Sequence, residues 1–504
     1  MEASKRMFIN TIVQYAKAII NTGLSLYTVR LILLALGKSD YGVYSLIAGV
    51  ISLLGFIQNA MVITTQRYLS YYYGKNNIDY VRKIFSNSLI LHLIIGVALS
   101  LFILFFKNYL CKDFLNIADN RREAALIVYI MAIGMMFVTF ITAPFKALFI
   151  AKENIIFVSV IEIIDGFLKL ILAIIVLRLE IDKLISYSIM MFGIVGFEFF
   201  IYVWFAIANF KECKISTIKE DLQFQILKNL AGFAGWTTYG MASVIIRTQG
   251  IAILLNKFFG TILNAAYGIA IQCYGAVSFI ATSIINAMNP QIMKAEGAND
   301  RNKMMVLAAK ESKFIVALMA LLFIPLITEM NSILKVWLNS IPPYACFLTQ
   351  CLLISFLIDQ TTYGLHTANQ AVGKIKVYTL IMYTPKILVL PACYIALHFN
   401  YGIESVMYIY LAVEFIVAMS RLPFMHYEIN LDILKYIKEV TIKQIAIAII
   451  ISIVCVILNH TISTQNSFLM TIPLSIVLNI PTVWFIALDK NERIKMINFI
   501  KCKL

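Results

Sequence analysis

The stretch FINTIVQYAKAIINTGLSLYTVRLILLAL, residues 8–36, is long enough to cross a bilayer as one helix. It also carries a polar stripe along most of that length. At about 100° per residue, Asn10, Gln14, Lys17, Asn21, Ser25 and Thr28 fall within an arc of about 80°. Lys17 is the only charge on the stripe. Arg30 points roughly 140–200° away, near the outer end, where a long side chain can snorkel to the interface. A polar stripe on a membrane helix predicts the wall of a wet cavity, with Lys17, Asn21 and Arg30 as candidate ligands for a substrate.

The rest of the chain follows the same plan. Of 504 residues, 61% are hydrophobic and 14% charged, and mean hydropathy is +0.84, far from a soluble domain. About fourteen apolar runs read as spans: approximately 8–36, 42–64, 85–106, 124–150, 155–177, 184–208, 230–255, 263–286, 313–334, 344–369, 378–399, 403–427, 441–459 and 468–488. They are too long, and too evenly apolar, for barrel strands, so helices are expected throughout. Every second loop is basic. Roughly 27 of the 42 Lys and Arg fall in the even-numbered loops and the two termini, against about nine in the opposite loops. This predicts a multi-pass protein with both ends in the cytoplasm. The net charge of +15 then reflects topology and contact with anionic headgroups, and no nucleic-acid partner is expected. The first run lacks a small-residue cleavage site and is expected to remain as a span.

No loop is long enough for a soluble domain, which confines the chemistry to the bundle or its mouths. A weak repeat divides the chain. Tyr41-Gly42 is followed by Asn59-Ala60-Met61 and Arg67, and Tyr267-Gly268 by Asn286-Ala287-Met288 and Lys294. Both copies run from outside to inside. The expected organisation is a six-helix lobe over 1–208, a cytoplasmic linker over 209–229 and a second six-helix lobe over 230–427. Two extra helices and a basic tail follow over 428–504.

Roughly eleven ionisable residues lie within spans: Lys17, Arg30, Lys146, Glu162, Asp165, Lys169, Glu198, Arg247, Asp359, Lys386 and Glu414. At about 2.5–3.5 kcal/mol each at mid-bilayer, they are expected to face one another or water. In span 7, Trp236, Gly240, Ser243, Arg247 and Gly250 share a face, and the small residues leave room beside a guanidinium that can grip phosphate. The plainer reading pairs Arg247 with an acid such as Glu198. Glu162, Asp165 and Lys169 share a face of span 5, as an internal salt bridge or as a proton or sodium site. Asp359 and His366 lie on one stripe of span 10, as a structural cluster or a proton relay. Glu414 and Arg421 read as a structural pair. Lys386 follows Pro385, where a kink is expected to free carbonyls towards the bundle interior, and is a further candidate substrate ligand unless it snorkels.

Enzyme signatures are missing. Val372-Gly373-Lys374-Ile375 lacks the first glycine and the Ser/Thr of a phosphate-binding loop. The five His and eight Cys show no metal spacing, and the cysteines read as reduced apolar fillers. No cofactor and no covalent catalysis are expected.

The stretch Leu36-Gly37-Lys38-Ser39-Asp40-Tyr41-Gly42-Val43-Tyr44-Ser45-Leu46, followed by Thr65-Gln66-Arg67-Tyr68-Leu69-Ser70, resembles the first two spans of bacterial polysaccharide flippases. Ala143-Pro144-Phe145-Lys146-Ala147-Leu148, Asn264-Ala265-Ala266-Tyr267-Gly268, Pro290-Gln291-Ile292, Val336-Trp337-Leu338 and Gly373-Lys374-Ile375 are similar to the same family. This is the Wzx-type branch of the multidrug/oligosaccharidyl-lipid/polysaccharide exporter superfamily. The resemblance implies two six-helix lobes around a V-shaped cavity. It implies a bacterial inner-membrane flippase for undecaprenyl-diphosphate-linked oligosaccharide, with the diphosphate held by basic residues, here Lys17, Arg30 and Arg247. A multidrug/cation antiporter of the same superfamily and a membrane-embedded glycan polymerase are the alternatives.

Overall fold

A computed structural model describes residues 2–52, 54–107, 119–213, 218–338, 341–462, 468–490 and 492–494. Among the described residues there is no strand. Cys111 and Cys502 lie outside them. Long apolar runs in lipid must satisfy their own backbone groups, and helices do so within a single segment.

The first compact unit comprises Glu2–Thr238 with Gly297–Asn299. It holds α1 (Glu2–Ser52), α2 (Gly55–Gly74), α3 (Ile78–Phe105), α4 (Arg122–Ala151), α5 (Ile155–Arg178), α6 (Lys183–Asn209), α7 (Ile218–Asp221) and the start of α8 (Phe224–Phe259). α1 changes direction at Gly37, whose φ of 75° a side chain would resist. α1 packs along α5, and α4 is central among α2, α3 and α6. Aromatic stacking fills the inner part of the unit. Phe157 lies 4.5 Å from Phe149 and 4.1 Å from Phe205, around a fully buried Tyr202.

Charged groups tie both ends of this unit. At one end Arg121 binds Asp40 at 2.5 Å and Asp182 at 2.6 Å, and its guanidinium holds the Asp182 carboxyl below its usual range. At the other, Arg82 grips Asp221 with Nε and Nη2 at 2.9 and 3.1 Å, and Asn87 donates to the Asp221 carbonyl at 2.9 Å. Glu212 accepts from Tyr73 at 2.8 Å and from Lys152 at 3.1 Å. The described part of segment 209–229 is therefore strapped to the first unit. The boundary between units falls inside α8, between Thr238 and Tyr239.

The second unit comprises Tyr239–Glu296 and the chain from Asp300 onward. It contains the end of α8, then α9 (Thr261–Gly297), α10 (Arg301–Thr328), α11 (Met330–Trp337), α12 (Ala345–Gln360), α13 (Tyr363–Val372), α14 (Ile375–His398) and α15 (Ile403–Ile429). After these come α16 (Ile433–Tyr436), α17 (Ile442–Thr461) and α18 (Phe468–Thr482). α10 is the axis of this unit and packs against α12, α13, α17 and α18. Gly364 lets α13 touch α10 backbone to backbone: a Cβ added there would lie 1.8 Å from the Ala308 carbonyl oxygen. Ser312 Oγ accepts the Gly364 N–H at 2.8 Å. The two C-terminal helices seal onto α10 through Ala317, Ala320, Leu321 and Ile324 against Ile447, Ile451 and Cys455.

Eleven helices among the described residues are long and apolar enough to cross a membrane, or twelve if the bent pair α12–α13, with its 47° break, is one span. The expected count was about fourteen. Two runs account for the difference. Run 42–64 is divided between the end of α1 and the start of α2, and α5 carries Glu162, Asp165 and Lys169 within its 24 residues. The all-helical membrane architecture stands, with two lobes. Both copies of Asn-Ala-Met behave alike, with Asn59 and Asn286 exposed and Ala60, Met61, Ala287 and Met288 buried.

Candidate functional site

Each unit buries an ion-pair network within its apolar helices. In the first unit α5 has two unlike faces. Val160, Ile164, Phe167 and Ile171 are exposed on one, and Glu162, Asp165 and Lys169 stand on the opposite one, towards neighbouring helices. Glu162 is the hub. Its two oxygens bind Lys17 of α1 at 2.6 Å and Lys146 of α4 at 2.5 Å, and its backbone carbonyl accepts from Asn21 at 3.3 Å. The side chain of Glu162 keeps 22% of its surface accessible and that of Lys17 18%. Asp165 binds Lys169 at 2.7 Å, and Glu198 of α6 lies within electrostatic reach of Lys146, Asp165 and Lys169. Three acids thus meet three bases.

The expected triad on α5 is therefore divided. Asp165 and Lys169 pair as the spacing suggests, but Glu162 turns to two other helices. The α1 stripe is in part a packing seam, with Ser25 exposed and Lys17 and Asn21 half-buried. Asn10, Gln14 and Thr28 are buried, and Gly166 of α5 comes so close that an added Cβ would lie 3.1 Å from Asn21 Oδ1. Arg30 is exposed and has no ion pair among the described residues.

In the second unit Glu414 of α15 is the hub. It binds Arg247 of α8 at 2.5 Å and Lys386 of α14 at 2.5 Å. Lys386 reaches Asp359 of α12 at 3.7 Å, and Asp359 binds Arg421 of α15 at 2.6 Å. Arg247 also lies over the Tyr410 ring, 4.1 Å from its centroid. Arg247, Lys386, Glu414 and Arg421 are nearly fully buried. Three bases face two acids along this chain of contacts.

Several expectations are corrected here. Arg247 does pair with an acid on a neighbouring helix, but that acid is Glu414 and not the Glu198 given as the example. Glu414 and Arg421, seven apart on α15, each take a partner from another helix instead of each other. The room foreseen beside Arg247 is filled by α14: a Cβ at Gly240 would meet the Tyr383 ring at 3.3 Å, and one at Gly250 would meet Leu390 at 2.5 Å. His366 makes no hydrogen bond to Asp359. Its ring joins Tyr378 at 3.2 Å and Gln370 at 3.0 Å, because the bend at Thr361–Thr362 turns α13 away from the α12 stripe. Lys386 follows Pro385 inside α14, and its ammonium is taken up by Glu414. Reasoning from spacing gave Lys146 no named partner and gave Arg421 the wrong one; their partners are Glu162 and Asp359. Among the described residues no three His, Cys, Asp or Glu side chains gather as a metal site.

No curated protein matches the sequence. Residues 17–175 match the MatE family model. Among solved structures, the chain is similar to a MATE protein in the bent conformation (TM-score 0.73, 13% identity, 87% of this chain and 97% of that one). It is also similar to a multidrug-resistance MATE transporter in an outward-facing conformation (TM-score 0.68, 13% identity, 84% and 95%). A further neighbour is a MOP superfamily transporter from Pyrococcus furiosus, described as having a binding pocket of reversed polarity (TM-score 0.71, 14% identity, 85% and 96%). The chain thus has the fold of the MATE transporters, and over residues 17–175 a sequence similar to the MatE family.

Proposed function

We propose that this protein is an ion-coupled membrane transporter that works by alternating access, with Glu162 as the coupling carboxylate of the first unit. One observation carries the reading. A carboxylate inside an apolar helix holds lysines from two other helices while part of its surface stays accessible. Protonating Glu162, or giving it a cation, removes the charge that holds Lys17 and Lys146. That step loosens α1 and α4 from α5 and frees two ammonium groups for an anion. Occupancy of the carboxylate thereby biases one arrangement of the helices over another.

Two substrate classes fit this coupling. The MatE match and the structural neighbours support a multidrug/cation antiporter. The second reading is a flippase for undecaprenyl-diphosphate-linked glycan in a bacterial cytoplasmic membrane, and the charge count favours it. Bases exceed acids along the second network, and two lysines share Glu162 in the first. A cationic solute needs a free acid, whereas a diphosphate needs bases that a proton or sodium ion can release. Membrane potential would add about 2.3 kcal/mol per charge per 100 mV to the export of such an anion.

The test uses proteoliposomes holding the full chain and an imposed proton or sodium gradient. Ethidium efflux reports the antiporter, and inversion of a fluorescent polyprenyl-diphosphate glycolipid reports the flippase. Glu162→Gln is expected to uncouple whichever movement the wild type performs. Gradient-driven movement that is unchanged in Glu162→Gln would defeat the coupling role. Lys17→Gln, in a chain that still folds, is expected to stop glycolipid inversion; if only ethidium moves, the antiporter reading stands instead.

A further inference from the structure

Glu311 stands apart from both networks. It lies about three turns into α10 and is fully buried, and neither carboxyl oxygen has a hydrogen-bond partner among the described residues. Thr367 of α13 faces it, equally buried, and its hydroxyl is the hydrogen-bonding group within reach of the carboxyl, although not in ideal geometry. The backbone contact at Gly364, one turn earlier on α13, closes this corner against α10.

The surrounding titratable groups leave Glu311 without a base. Tyr363 of α13 and Tyr436 of α16 are within electrostatic reach of it, and both are neutral phenols. Arg421 of α15 lies 5.9 Å from the centroid of the Tyr363 ring and is committed to Asp359 of α12. On α10 itself, Lys310 binds Glu492, and Lys313 binds Asp489 and Glu492. Lys443 of α17 binds Asp489. Beside it on α17, Gln444 donates to the Ser312 and Thr361 carbonyls, both at 3.1 Å. His366 of α13 is occupied by Tyr378 and Gln370.

An ionised carboxylate here would be a buried charge with no counter-ion and only the Thr367 hydroxyl within reach, an arrangement that proteins avoid by neutralising the group. Two carboxyl oxygens and one hydroxyl are also too few for a hard cation's coordination shell. We propose that Glu311 is a proton-binding site of the transport cycle. It holds a proton while α13 is packed on α10 and gives it to water when the two helices part. In that step the carboxyl O–H bond breaks, the proton passes to a water oxygen, and the carboxylate left behind becomes hydrated. This inference rests on the ion-coupled reading above and adds a proton site in the second unit.

Thermal melting of the full-length protein in detergent, from acid to alkaline pH, tests it without a known substrate. A native state that keeps a proton which the unfolded chain gives up loses stability as pH rises. Wild type should therefore lose Tm towards alkaline pH more steeply than Glu311→Gln, which should melt roughly 2 °C or more higher at the alkaline end. Identical slopes would overturn the proposal. So would a Glu311→Gln protein that fails to fold, because glutamine imitates the neutral acid. A saturable rise of wild-type Tm with sodium or lithium that vanishes in Glu311→Gln would replace the proton by an alkali cation. In proteoliposomes Glu311→Gln should lose its response to a pH gradient while retaining gradient-free exchange. If Glu162→Gln leaves coupling intact, the functional reading fails while the melting result stands. If Glu162→Gln uncouples and the Glu311 slopes coincide, only the Glu311 site fails.

Discussion

Glu414 shows how much can hang on one carboxylate. Its two oxygens neutralise Arg247 and Lys386, and all three side chains are buried. Glu414→Gln would leave two bases sharing a neutral amide in a dry interior. Removing one member of a buried pair typically costs about 3–5 kcal/mol, so a large fall in Tm and in folded yield is expected. A detergent melt of the purified variant checks this, and a Tm within a degree or so of wild type would mean that water reaches the network. The burial of Glu414 was legible from the sequence, since a charge in an apolar run must find company. Its partners were not. Spacing along α15 offered Arg421, but pairing across helices depends on which helices abut, and residue order does not encode that directly.

At the level of helices, two motifs decide what can move. On α5 the charged face and the exposed isoleucine face are opposite, so the 3.6-residue period locates its interior side from the sequence alone. The α1 stripe was equally visible, but polarity alone could not distinguish a water-lined wall from a seam whose polar groups meet a neighbouring helix. The break between α12 and α13 had no proline or glycine to announce it; Gly364 lies two residues further on, where the helices need to touch. That contact leaves no space for a methyl group. Gly364→Ala must push α13 from α10, at a cost of about 1–3 kcal/mol or more. Reduced thermal stability and a weakened response to Glu311→Gln in the same background are expected. Unchanged melting would show that the two helices separate easily.

For the molecule as a whole, the alternation of basic loops was the clearest signal in the sequence. It identified a multi-pass protein, and the apolar runs between those loops gave the position of most membrane-length helices. It could not show how charges within the helices pair, because topology constrains loops and leaves the interior to packing. The same alternation predicts that both termini lie in the cytoplasm. A reporter active only in the cytoplasm should work when fused after Leu504 and fail when inserted at Glu180, between α5 and α6. The reverse pattern would invert the membrane orientation and move the basic loops outside.

The touching backbones at Gly364 and Ala308 have a mechanical consequence. α13 cannot slide over α10 like two oiled rods, because there is no side-chain cushion between them. α17 and α18 are sealed to the other side of α10, so a tilt of that axis would carry the two C-terminal helices along as a keel. Lipids bordering that keel would have to rearrange with any such tilt, so a stiffer bilayer would resist it.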